Sequence, residues 1–238
     1  MGFGKRVVLR KGNYRDLKHH LADMGISKVE GVLFDFGVSS PQLDDPGRGF
    51  SFQQDGPLDM RMDQTTGLTA AALVNSVRED ELADIIFHHG EERYSRRIAR
   101  AIVREREHRP IETTGALASV IAGAVPSAYR HGRIHCATRT FQALRIAVNH
   151  ELESLEPALR DAASVLAPGG RICAISFHSL EDRIVKHTLR SLARGDGACL
   201  SLLTKKPLLP SAQECRMNPR ARSAKLRVAE RVSGGMAL

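Results

Sequence analysis

Between Gly31 and Asp63 the chain reads GVLFDFGVSSPQLDDPGRGFSFQQDGPLDMRMD, and this stretch restricts the possible folds more than any other. An apolar run, Val32-Leu33-Phe34, ends on Asp35 and gives way to Gly37, Ser39, Ser40 and Pro41. An apolar run closed by a carboxylate and turn formers is the pattern of a buried strand delivering its last residues into a crevice. In open α/β sheets, ligands bind beyond the carboxyl ends of the strands. The next 25 or so residues have neither a helical nor an alternating period, yet they hold Phe50, Phe52, Leu58, Met60 and Met62. Disordered segments do not carry that many large apolar side chains, and long ordered loops in compact domains are usually functional. The alternative is a surface Ω-loop packed on its own aromatics. The loop also carries Asp44, Asp45, Asp55, Asp59 and Asp63 with Arg48 and Arg61. A pair such as Asp59 and Asp63 has the chemistry for a metal ion or for acid–base work, although sequence does not show that the two converge.

The flanking segments make this strand part of an α/β sheet. Val7-Val8-Leu9 is a strand candidate, Asn13 a helix N-cap, and Leu17, Leu21 and Met24 a helical stripe closed by Gly25. Strand, helix and strand within 36 residues make one βαβ unit, hence a parallel sheet. From Leu68 to Pro126 the period turns helical, punctuated by Gly90, Pro110 and Pro126. Cys136 to Leu166 is a long helical region with Pro157 as its expected break. Ala167-Pro168-Gly169-Gly170 is a turn into the strand Arg171–Phe177, followed by His178, Ser179 and a further helix. His178 is open to either a capping or a catalytic role. Lys225-Leu226-Arg227-Val228-Ala229 alternates as an edge strand does. The expected organisation is a first sheet segment over 1–66, a helical insertion over 67–134 and a second sheet segment over 135–238.

Charge narrows the partner. The chain of 238 residues has a net charge of +8. Thr204 to Arg231 carries eight cations against Glu214 and Glu230, and Arg93 to Arg109 carries seven arginines against Glu105 and Glu107. Two basic concentrations with few aromatics suit a polyanion, most simply nucleic acid, rather than two solvated faces. Arg93, Arg97, Arg100 and Arg104 fall on one stripe opposite Ile98 and Ile102, a row of guanidiniums suited to phosphates. The competing reading pairs them with Glu91, Glu92 and Glu105. Arg139, Gln142, Arg145 and Asn149 form a second polar stripe. Cys136, Cys173, Cys199 and Cys215 are too far apart for a zinc pattern and are expected to be reduced thiols of a cytoplasmic protein. No apolar run reaches membrane-spanning length.

Five blocks together resemble one family: the Asp35–Asp63 stretch, GEERYSRRIARAIV, ATRTFQALRIAVN, APGGRICAISFHSLEDRIVK and NPRARSAKLRVAER. They are similar to the RsmH or MraW family of S-adenosylmethionine-dependent methyltransferases, which modify the N4 amine of a cytosine in 16S ribosomal RNA. The resemblance runs from about Gly12 to Arg231. It implies a Rossmann-like methyltransferase sheet with an inserted helical substrate domain. By position it implies Tyr14, Asp35 and Gln42 as cofactor-binding residues, and the small ribosomal subunit as partner. Ser39, Ser40 and His178 are the candidates for the group that accepts from the target amine, and Arg97, Arg100, Arg104, Arg139 and Arg145 those for RNA contact. The family begins with a further strand and a glycine-rich cofactor loop, which are not found ahead of Gly2. The chain is therefore expected to be an N-terminally truncated form, with the Asp35 strand left as an open, aggregation-prone edge. The alternative function is a non-catalytic RNA-binding module.

Overall fold

The computed structural model describes residues 7–195 and 197–232. They divide into two compact units, one made of the described residues up to 37 and from 152 onward, the other of 38–151.

In the first unit, Asn13 accepts from the Arg15 amide and starts a 3-10 turn, Tyr14–Asp16, that runs into α1 (Leu17–Asp23). The chain leaves α1 through Gly25 at φ +70°, a left-handed conformation that glycine adopts without penalty. Strand β1 (Val29–Asp35) follows. The expected strand at Val7–Leu9 does not form; these residues lie in irregular, exposed chain with no ladder partner among the described residues, and residues 1–6 lie outside the described residues.

The second unit holds α2 (Ser40–Asp44), α3 (Ala70–Ser76), α4 (Glu79–Gly90), α5 (Ser95–His108), α6 (Thr114–Ala124), α7 (Ser127–Arg130) and α8 (Thr138–Asn149). Its limits are wider than the 67–134 insertion expected from sequence. The reason lies in the core: Phe50, Leu58 and Met60 from the aperiodic loop, with Phe141 and Leu144 from α8, are buried among Val74, Leu82, Ile86, Ile98, Ile102 and Leu117. Helices α4 and α8 approach so closely that a Cβ on Gly90 would lie 2.5 Å from the Arg139 carbonyl oxygen.

Back in the first unit come α9 (Glu151–Val165), β2 (Leu166–Ser176), α10 (Ser179–Leu192), β3 (Leu200–Leu202), α11 (Ala212–Met217) and β4 (Lys225–Arg231). The helical region before β2 breaks at His150, which takes φ +50°, and not at Pro157, which sits inside α9. The sheet order is β1-β2-β4-β3, with β1 and β2 parallel and the other two pairings antiparallel. β4 is thus an inner strand, not the edge expected, because β3 pairs along one flank and β2 along the other. The turn expected at Ala167–Gly170 is absorbed into β2 as an irregularity: Val29 pairs with Leu166 but Gly31 already with Arg171. The core of this unit packs Phe34 and Phe36 with Leu155, Leu159, Ile172, Val185 and Leu189. A mixed sheet with a parallel pair and covering helices is the Rossmann-like α/β class expected.

Candidate active site and nucleic-acid interface

Because β1 and β2 run parallel, both deliver their last residues to the same end of the sheet. Asp35 closes β1 beside Ile175, and the Phe36 amide donates to the Ile175 carbonyl at 3.1 Å. Phe34 and Phe36 stack on one face with centroids 5.2 Å apart, and the Tyr14 ring meets them edge-on at 6.2 and 5.5 Å. Alternation along a strand directs Asp35 to the opposite face. Its carboxylate is exposed, and among the described residues no cation or hydrogen-bond donor takes it up. Tyr14 and Asp35 therefore flank the strand end from two faces.

At the end of β2, His178 is the N-cap of α10. Its Nδ1 accepts from the Glu181 amide at 3.4 Å, and Glu181 Oε2 accepts from the Phe177 amide at 2.8 Å. An Nδ1 that accepts leaves the ring proton on Nε2. That nitrogen is buried 3.2 Å from Glu181 Oε1, close enough for electrostatic attraction although the angle is poor for a hydrogen bond. The histidine is occupied in capping, and the buried Glu181 is its counterpart. The sequence sign was the E three residues into the helix, the capping-box spacing.

Ser39, Ser40 and Gln42 belong to the second unit. Gln42 Oε1 accepts from the Ser39 amide at 2.9 Å and from the Ser39 hydroxyl at 3.0 Å, which sets the start of α2. The serine hydroxyl donates to Gln42 Oε1, and the same two residues form the capping box that starts α2.

The aperiodic loop is ordered by its own polar groups. Asp55 accepts from the Gly115 amide at 2.7 Å, and that bond, with those from Thr113 and Thr114, holds its carboxyl below the usual range. Asp59 is forked by Arg61 at 2.8 and 2.9 Å, which lowers its pKa despite partial burial. The Arg48 guanidinium donates to the Arg61 and Met62 carbonyls at 2.7 and 2.9 Å. Met60, fully buried, takes φ +62° between them. Asp63 accepts from Thr65. Among the described residues no group of three His, Cys, Asp or Glu side chains is placed to hold a metal ion.

The two arginine stripes have different fates. Arg97, Arg100 and Arg104 on α5 line a groove of about 530 Å³, floored by Val120, Gly123 and Ala124 of α6. Arg100 reaches Glu79 only at 3.4 Å, and Glu105 is taken by Arg109 at 2.7 Å. Arg93, expected on the same stripe, instead stacks over Tyr94 and Tyr129 at 4.8 and 5.0 Å. Beneath it, buried Glu92 accepts from the Tyr129 hydroxyl at 2.6 Å; burial first, then that carboxylate, pushes the phenol up to about 12. The α8 stripe faces inward. Arg139 donates to the Glu91 carbonyl at 2.7 Å, and Gln142 to the His89 carbonyl at 3.0 Å. Arg145 forks the buried Glu151 at 2.8 and 2.9 Å, and Asn149 clamps Met60 and Met62. Arg145 therefore does not present free charge to RNA, because the Glu151 carboxylate neutralises it, whereas Arg139 is bound to a neutral carbonyl and keeps its charge.

The groove and the strand-end carboxylate acquire a context from known proteins. The model of the MraW methylase family matches residues 1–232. This chain belongs to the MraW methylase family. It is 62% identical over 208 residues to the ribosomal RNA small subunit methyltransferase H of Synechococcus elongatus, covering 87% of this chain and 68% of that protein. It is 56% identical to the protein of the same name in a Cyanothece species, covering 97% and 73%. The Brevibacillus brevis protein of that name is 50% identical, covering 95% and 76%. Membership makes the chain a methyltransferase, and the α/β sheet agrees with that class. All four cysteines are free thiols, and among the described residues no helix is long and apolar enough to cross a membrane.

Proposed function

We propose that this MraW methylase transfers a methyl group from S-adenosylmethionine to the N4 amine of a cytosine in small-subunit ribosomal RNA. The observation that carries the reading is Asp35, an exposed and unclaimed carboxylate at the carboxyl end of β1. A carboxylate held there by the sheet fits the amino groups of such a cofactor, and Tyr14 backs the strand end from the other face. Gln42, on the other unit, keeps its amide N–H groups unengaged among the described residues, since only its oxygen serves Ser39. S-adenosylmethionine supplies an electrophilic methyl group on a sulfonium.

The protein's part is to orient the amine. The cytosine N4 lone pair is delocalised into the ring, so acceptors must grip its N–H groups while the nitrogen is held in line. Ser39 and Ser40 are the groups for that task; His178 is engaged by Glu181. The target base has to leave its stack to be reached, and the Arg97–Arg104 groove holds the adjoining phosphates. The relatives' names, which specify small-subunit ribosomal RNA, support this substrate and with it a cytoplasmic setting.

Calorimetric titration with S-adenosylmethionine, paired with methyl transfer from labelled cofactor to small-subunit particles, tests the reading. Asp35→Ala should abolish cofactor binding and transfer with an unchanged melting midpoint; an unchanged affinity removes Asp35 from the site. The arginine groove favours a second reading, an RNA-binding module without catalysis, because it is built wholly within the helical unit and needs no cofactor. RNA binding with no cofactor uptake by the unaltered chain would establish it.

A further inference from the structure

The sheet-bearing unit has its own concentration of cations, and the fold sorts them. Arg227 is forked by Asp182 at 2.6 and 3.2 Å, and Lys225 approaches the same carboxylate at 3.6 Å. Arg171 pairs with Glu230 at 2.8 Å. Arg231, buried, donates to the Ala163 carbonyl at the end of α9. Lys186, Arg190 and Lys205 are different. Lys186 and Arg190 lie one turn apart on α10, so their side chains share a face. Lys205 follows β3, and its backbone is fixed by Thr204, whose amide donates to the Val228 carbonyl and whose hydroxyl accepts from the Val228 amide at 2.9 Å. All three line one narrow crevice of about 10 Å³ together with the already neutralised Arg227. Among the described residues none of the three has a carboxylate partner.

We propose that the cationic surface around this crevice is a second RNA-backbone contact, made by the sheet-bearing unit in addition to the Arg97–Arg104 groove of the helical unit. It rests on the RNA reading above. Like charges on one helix face repel, and a third cation fixed beside them by the sheet adds to that repulsion, which an anion relieves. A polyphosphate suits the site better than an acidic protein surface, because protein interfaces are depleted in lysine whereas phosphate contacts are made by lysine and arginine. Lys206, Arg216 and Arg222, on the chain segment that follows β3, are exposed as well.

The experiment measures affinity for a structured fragment of small-subunit ribosomal RNA against salt concentration, with the unaltered chain and with Lys186→Gln/Arg190→Gln/Lys205→Gln. Each lost phosphate contact lowers the slope of log affinity against log salt by about one unit, so the triple variant should lose about two to three units. Because the three side chains have no partner to lose, the melting midpoint should not move. Lys205→Glu alone, at an exposed position, should cost about one unit and covers the case in which the triple variant folds poorly. An unchanged slope in both variants, while Arg97→Gln/Arg100→Gln/Arg104→Gln lowers it, overturns this site and leaves the RNA reading standing. No RNA binding by the unaltered chain sinks the RNA reading itself. Binding of polyglutamate in place of RNA, lost in the triple variant, assigns the crevice to an acidic protein and also overturns the proposal.

Discussion

Asp182→Asn probes the joint that holds α10 on the sheet. Arg227 is 6% exposed, and its guanidinium meets Asp182 through Nε at 2.6 Å and Nη2 at 3.2 Å. Asparagine keeps the shape but leaves one oxygen to accept and turns an N–H donor toward the guanidinium. Removing one partner of a buried pair costs roughly 3–5 kcal/mol. Here the side chains of Asp182 and Lys225 are 15% and 32% exposed, so water reaches the margin of the site. That places the expected cost at or just below the lower end of that range, about 2–3 kcal/mol. For a chain of this size 1 kcal/mol moves the midpoint by about 2–4 °C, so the transition that includes the sheet should fall by roughly 4–12 °C. Replacing both residues, Asp182→Leu with Arg227→Met, should recover most of the loss, because the unpaired charge is gone.

The pH dependence gives a second check on the same joint. Burial alone would raise the Asp182 pKa, but the hydrogen bonds and charge of Arg227, with Lys225, outweigh it and hold the carboxyl below its ordinary 3.8. A folded-state value below the unfolded one means the stabilisation is complete above the unfolded pKa and fades as pH falls through the folded one. Urea melts of wild type and Asp182→Asn should therefore differ by a constant amount near neutrality and converge below about pH 4. Equal stability at neutral pH, or a gap that widens on acidification, would refute the reasoning.

Arg97→Gln/Arg100→Gln/Arg104→Gln should lower the salt slope of RNA binding by about three units, one per phosphate; an unchanged slope would make the groove an ordinary solvated face. Asn149→Ala removes the donor to the Met60 carbonyl (2.8 Å) and the acceptor for the Met62 amide (2.7 Å), and should cost about 2–3 kcal/mol. Hydrogen exchange at residues 60–62 reads that change, and protection as in wild type would show that the loop does not depend on the clamp. In a spectrophotometric titration one of the three tyrosines, Tyr129, should ionise only near 12, and Glu92→Gln should lower that value. All three ionising together near 10 would contradict the burial of that phenol.

The strand ending in Asp35 was legible because an apolar run stopped by a carboxylate has few other uses, and the helices of the second unit because their period repeats over several turns. The N-terminal strand failed for a physical reason: Val7-Val8-Leu9 has the composition of a strand, but a strand is stabilised by its neighbour, and composition does not show whether one is there. Unit limits failed in a related way. Phe50, Leu58 and Met60 announced an ordered loop, yet apolar residues do not say which core they enter, and these enter the helical one.

The arginines carry the same lesson to the site. Arg145 and Glu151 are six apart, a spacing at which an unbroken helix keeps side chains on different faces. Only the left-handed His150 between α8 and α9 turns Glu151 back to meet the guanidinium. Arg227 likewise finds Asp182 from 45 residues away. A carboxylate delivered by the fold thus decides whether a cation is structural or available, and counting charge along the chain cannot supply that information. Among the described residues, cations without such a partner include Arg97 and Arg104 in the α5 groove and Lys186, Arg190 and Lys205 at the crevice, and these are available for recognition.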